Sequence, residues 1–195
     1  MDPDRSPSWL RNTRGVTLSE LLTVMTIVGI TSAIALPKLD LPHYAIDSAM
    51  RAIGTTLMAA QRDAVAAQHD VIVSFDSAGR ALIIHYDRDN DGTVDAGERV
   101  RRMGLDDGVT FGRPSAVTAR SFGSAAINFQ TVGTRPAVIF HRAGSASESG
   151  GVYLTSVRAT RPGANRPDDT RAIEFERATG RVDWFRYRGT WQRGF

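Results

Sequence analysis

From Val16 to Leu36 the chain runs through 21 residues carrying one charge, Glu20. An apolar run of about 20 residues is what a helix needs to cross the hydrocarbon core of a bilayer, so this segment limits the fold before anything else does. Glu20 stands about a turn inside the run, where a lone carboxylate is costly, about 2.5–3.5 kcal/mol at the bilayer centre and less near its edge. Nothing else in the segment can neutralise it, so its partner has to come from elsewhere. Arg5, Arg11 and Arg14 precede the run and none lies within it. That bias places the N-terminus in the cytoplasm and the bulk of the chain across the membrane.

Two plain readings explain part of this segment. A secretory signal peptide accounts for the basic start, and Ala33-Ile34-Ala35 offers a small-residue cleavage site, but Glu20 interrupts the apolar region and the run is longer than such a region needs. A simple membrane anchor accounts for the length but not for Gly15 or Glu20. The polar leader ending in Gly15, the acid five positions later and the apolar helix ending at Pro37 together resemble the N-terminus of the type IV pilin and pseudopilin family. That resemblance implies that prepilin peptidase cuts between Gly15 and Val16 and removes residues 1–15. Val16 would then carry a new α-amino group and be the site of N-methylation; the family's first mature residue is usually phenylalanine. Glu20 would neutralise the amine of a neighbouring subunit and set the register of a filament, a pairing that makes physical sense where an unpaired charge is expensive.

After Pro37, 158 residues remain, enough for one compact domain with its own core. With no cysteine there is no disulfide framework. Lys38 is the only lysine, so 23 of the 24 basic residues are arginine. From Arg158 to Phe195 nine arginines face five acids, making that end locally basic.

Pro37 and Pro42 are expected to bend or interrupt the helix leaving the membrane. A second helical segment is expected from Tyr44 to Gln68, with Ile46, Met50, Ile53, Leu57, Ala60, Ala64 and Ala67 on one stripe. Beyond Asp70 the pattern changes to strands: 71–75 and 81–86 around a hairpin turn at 76–80, then 99–103, 109–111, 137–140, 151–156, 172–177 and 182–186. Residues 112–134 and 161–170 read as long loops, and Gly144, Gly150, Gly151 and Gly180 as turn residues. The fold class is α+β: a long N-terminal helix, membrane-spanning over 16–37 and amphipathic over 38–69, packed on an antiparallel β-sandwich-like domain over 70–195. The segments Ala59–Val65, Ile139–Gly144, Gly150–Leu154 and Ala178–Val182 resemble the GspH/FimT-type minor pseudopilins. The resemblance implies a non-enzymatic subunit of the periplasmic pseudopilus of a type II secretion system, held in the bacterial inner membrane. Its partners would be other pseudopilins or pilins and the prepilin peptidase.

Two further constellations stand out. Asp87 to Glu98 satisfies D-x-D-x-D-G followed by five residues and Glu, a spacing that lets alternate oxygens converge on calcium. Asp87, Asp89, Asp91, the Thr93 carbonyl, Asp95 and Glu98 would be its ligands, although strand-like flanks replace the usual helices; the bland alternative is an acidic hairpin loop facing arginines. The basic C-terminus interleaves arginines with Trp184, Phe185, Tyr187 and Trp191, as a nucleic-acid surface requires. The FimT branch implies DNA binding by a minor pilin, here through Arg181, Arg186 and Arg188, with Asp183 where a second arginine is expected; solvated arginines on a final strand are the alternative. His43, His69, His85 and His141 form no zinc pair, and neither a G-x-S-x-G elbow nor a phosphate loop occurs. The chain reads as non-enzymatic and requires no cofactor.

Overall fold

The computed structural model describes residues 15–35 and 41–194 in two units, residues 1–40 and Leu41–Phe195. The leader up to Arg14 and the expected break at Pro37 lie outside the described residues.

The first unit contains α1 (Leu18–Ala35). Its first turn is capped by Thr17, whose Oγ1 accepts the backbone N–H of Glu20 at 3.2 Å. The hydroxyls of Thr23, Thr26 and Thr31 donate to the carbonyls of Ser19, Leu22 and Ile27 at 2.7–2.9 Å, so the helix satisfies its own polar side chains. Leu18, Leu21, Val24, Ile27 and Ile30 lie on different sides of α1, and all are more than half exposed. At 18 residues, α1 is about 27 Å long against a core of about 30 Å. Among the described residues no helix is long and apolar enough to cross a membrane.

The second unit opens with α2 (Leu41–Ala67). Pro42 does not interrupt it, because in a first helical turn the missing N–H has no partner to lose. Eleven antiparallel strands follow in two sheets. One runs in the order β3 (Arg99–Gly104), β2 (Ala81–Asp87), β1 (Asp70–Asp76), β7 (Arg135–Phe140), β6 (Thr131–Val132). The other runs β11 (Thr190–Arg193), β10 (Val182–Arg188), β9 (Arg171–Phe175), β8 (Gly150–Ser156), β4 (Val109–Phe111), with β5 (Ile127–Asn128) also paired to β8. Ile46, Ala49, Met50, Ile53, Leu57, Ala60 and Ala64 of α2 are buried against Val73, Phe75 and Ile84 of the first sheet and Leu154, Ile173 and Phe175 of the second. The stripe therefore ends one turn early. Ala67 is exposed, at an open cleft that it lines with Tyr86 and Arg99. A smaller cluster of Tyr153, Ala172 and Phe185, with Phe122 and Trp191, covers the other face of the second sheet. Both clusters lie within Leu41–Phe195, as a fragment that folds on its own requires.

Four sequence expectations change. Residues 112–134 are not wholly loop, since they contribute β5 and β6, and β11 follows β10 unannounced. Strands of two to four residues are too short to show alternation. The strand expected over 172–177 stops at Phe175. Gly150 and Gly151 belong to β8 rather than a turn. A Cβ on Gly151 would stand 2.6 Å from the Ile173 carbonyl oxygen and 2.8 Å from the Phe122 ring, so bareness there permits close packing.

Candidate functional site

At the N-terminus, Gly15 and Val16 precede α1 outside any regular element, and Glu20 occupies its first turn with an exposed side chain. An acid in the first turn is favoured by the helix dipole, and Thr17-Leu-Ser-Glu20 has the spacing of a capping box, of which the Thr17 half is formed. Glu20 thus has a local structural reason to be here besides any role toward an amine. The T-x-x-E pattern that signals it is present in the sequence at Thr17 to Glu20.

The acidic loop folds back on the outer face of the first sheet. Asp87, buried at the end of β2, caps the turn: its Oδ1 accepts from Asn90 N at 2.7 Å and its Oδ2 from Gly92 N at 2.8 Å. Asp87, Asp89 and Asp91 each bring one carboxylate oxygen within 4.8 Å of the others. Crowding shows in Asp89, whose carboxyl is pushed up chiefly by its hydrogen bond to the Asp87 carboxylate. Asp91 is held down instead by the backbone N–H and hydroxyl of Thr93. Asp95 and Glu98 do not join this group. Glu98 Oε1 accepts Arg88 N at 2.6 Å, and Oε2 meets Nε2 of His85, a residue 1% exposed on β2. The Arg88 N–H is the main reason the Glu98 carboxyl lies low. Of the expected carboxylate ligands, Asp87, Asp89 and Asp91 converge, and the terminal glutamate instead clamps the loop to the sheet.

The C-terminal arginines do not form one patch. Arg181 and Arg188 bracket β10, about 20 Å apart at 3.3 Å per residue. Arg181 Nη2 donates to Asp183 Oδ2 at 2.9 Å, and Arg193 holds the other oxygen of the same carboxylate. Although burial raises the Asp183 carboxyl, the two arginines bring it below its ordinary range. Arg186 faces α2 and donates to Asp47 Oδ2 at 3.0 Å. Arg188 is exposed at the strand end. Asp183 is therefore a clamp between arginines on either side of it, and two of the three residues expected to meet DNA are engaged inside the domain.

Residues 10–36 match the prokaryotic N-terminal methylation motif. This is the type IV pilin signal. The matched stretch contains Gly15, Val16, Thr17 and Glu20 and the whole apolar run to Leu36. No curated protein matches the sequence. Two solved structures of the minor pseudopilin EpsH from the type II secretion system of Vibrio cholerae are similar to the chain. One has 12% identity and a TM-score of 0.48 over 71% of this chain and 94% of that one. The other has 15% identity and a TM-score of 0.41 over 72% and 92%.

Behind the motif, the start of α2 is fastened by two carboxylates that sequence reasoning missed, the half-buried Asp47 and the buried Asp169. Asp47 Oδ1 accepts Arg171 Nε at 2.6 Å. Asp169, 2% exposed, accepts from Ser156 and from Arg158 Nε at 2.9 Å, and lies 2.9 Å from His43 Nε2. The serine and histidine meet the carboxylate rather than each other, so this is a structural hub and not a nucleophile with its base. Burial raises the Asp169 carboxyl, but Arg158, Ser156 and His43 hold it below its ordinary range. The pairs of Asp47 with Arg171 and Arg186, and of His43 with Asp169, join positions more than 100 residues apart, and no local spacing announces them.

Proposed function

We propose that the chain is a non-enzymatic, pilin-like filament subunit, cut between Gly15 and Val16, anchored in the inner membrane through the segment 16–36, and assembled as a minor pseudopilin of a type II secretion system. One observation carries this reading: the methylation motif over residues 10–36 coincides with a helix whose apolar side chains are exposed on every side. A helix apolar all round requires lipid or neighbouring helices around it. Intact mass of membrane-purified protein tests processing. Gly15→Asp should leave the leader attached, and Glu20→Gln should allow cleavage but stop co-assembly with the partner pseudopilins. Cleavage at another position, or assembly unaffected by Glu20→Gln, refutes the reading.

A DNA-binding minor pilin using Arg181, Arg186 and Arg188 finds less support, since Asp183 and Asp47 engage the first two. For the acidic loop we propose calcium at Asp87, Asp89 and Asp91, in a stabilising role that leaves Glu98 on His85.

A further inference from the structure

Three exposed arginines, Arg161, Arg166 and Arg188, lie at the end of the second unit where α2 begins. A cleft of about 430 Å³ opens there, with Ala45 and Val157 on its apolar side and Arg158, Arg161 and Asp107 on its polar side. Arg166 precedes the short 3₁₀ turn Pro167–Asp169, whose Thr170 carbonyl accepts the N–H of Tyr187; that bond sets Arg188, one residue on, at the same end. Asp47 is taken by Arg171 and Arg186, and Asp169 by Arg158 and His43. Asp106, Asp107 and Asp168 are exposed, with Arg80 3.6 Å from Asp107 and with Arg161, Arg166 and Arg188 against them. Tyr44, in the same first turn, is 69% exposed, an amphipathic ring of the kind that settles at headgroup level.

Only residues 36–40 separate α1 from α2. Five residues reach at most about 18 Å, so a bilayer that takes in the preceding segment has its headgroups within reach of the start of α2. We propose that this end of the domain rests on anionic phospholipid. Arg161, Arg166 and Arg188 meet headgroup phosphates, Tyr44 sits at the interface, and the cleft beside Ala45 receives one headgroup. Arginine suits the task, since its planar fork matches phosphate oxygens. The inference rests on the membrane anchoring proposed above, but its test does not use the anchor.

The Leu41–Phe195 fragment is floated with phosphatidylglycerol vesicles and with neutral phosphatidylcholine vesicles at low salt. It should partition onto the first and not the second. Each of Arg161→Gln, Arg166→Gln and Arg188→Gln should weaken partitioning about fivefold, and the three together about a hundredfold. Replacing Arg88, Arg99 and Arg142, exposed residues away from this end, with glutamine removes the same charge and should change partitioning less than twofold. Equal binding to both vesicles, none to either, or an equal loss in the control triple overturns the inference. Full-length protein that stays in membranes while the fragment ignores phosphatidylglycerol overturns this inference alone. Full-length protein absent from membranes overturns the anchoring reading beneath it.

Discussion

Replacing Asp47 with alanine tests whether the start of α2 is fastened as the structure describes. The carboxylate joins three elements: it sits on α2, takes Arg171 of β9 at 2.6 Å through one oxygen and Arg186 of β10 at 3.0 Å through the other. The Arg171 side chain is 3% exposed and Asp47 16% exposed. Arg171 also donates Nη1 to the Asp168 and Thr170 carbonyls at 2.8 and 3.0 Å, so it cannot swing out to water without further loss. Removing one partner of a buried pair costs about 3–5 kcal/mol, because the other charge is stranded. The partial exposure of Asp47 and of Arg186, at 25%, favours the lower end, about 3 kcal/mol. For a unit of this size that lowers the melting temperature by about 6–12 °C.

Thermal melting of the Leu41–Phe195 fragment, followed by circular dichroism, measures the effect. Arg171→Met should cost a similar amount. The double variant Asp47→Leu with Arg171→Met should recover part of the loss, since the most deeply buried charge is then gone and Arg186, 25% exposed, still reaches water. A drop under 2 °C for Asp47→Ala, or a double variant whose losses simply add, refutes the reasoning. The same geometry bears on Arg186: a DNA-binding defect in Arg186→Ala needs a melting curve beside it, because that arginine holds α2.

Asp169 predicts a pH dependence. Its carboxyl is held below the unfolded value of about 4, so its contribution is fully present above that pH and is lost as pH falls through the lower folded value. Wild-type stability should therefore fall more steeply below pH ~4 than that of Asp169→Asn, which should already melt earlier at neutral pH; parallel pH curves refute the hub. Calcium at ten times its dissociation constant should stabilise the fragment by about 1.4 kcal/mol and leave Asp89→Asn with Asp91→Asn unmoved. A melting temperature equal in calcium and chelator removes calcium from the loop.

What could be read from the sequence and what could not divide along physical lines. The stripe from Ile46 to Ala64 and the hairpin from Asp70 to Asp87 were legible because burial imposes a period on residues adjacent in the chain. Edge strands of two residues impose none. Ion pairs such as Asp47–Arg171 could not be read at all, since an aspartate mid-helix looks the same whether it faces water or a strand 124 positions away. The acidic loop was legible in composition and not in outcome. The spacing from Asp87 to Glu98 offers Glu98 to a cation, yet His85 lies two residues before Asp87 on a strand whose side chains alternate, and the loop's return carries Glu98 onto that buried ring. The competitor lay outside the motif.

Glu20 shows the converse, a residue over-determined by its surroundings. The spacing to Gly15 points to the amine that cleavage creates, and the spacing to Thr17 points to a helix cap. The two separate cleanly, because the Thr17 hydroxyl accepts the backbone N–H of Glu20 and not its side chain. Changing the carboxylate to an amide therefore leaves that bond intact and removes only the charge. A helix that still forms in a subunit that no longer assembles assigns the carboxylate to the neighbour's amine, and the cap to Thr17 alone.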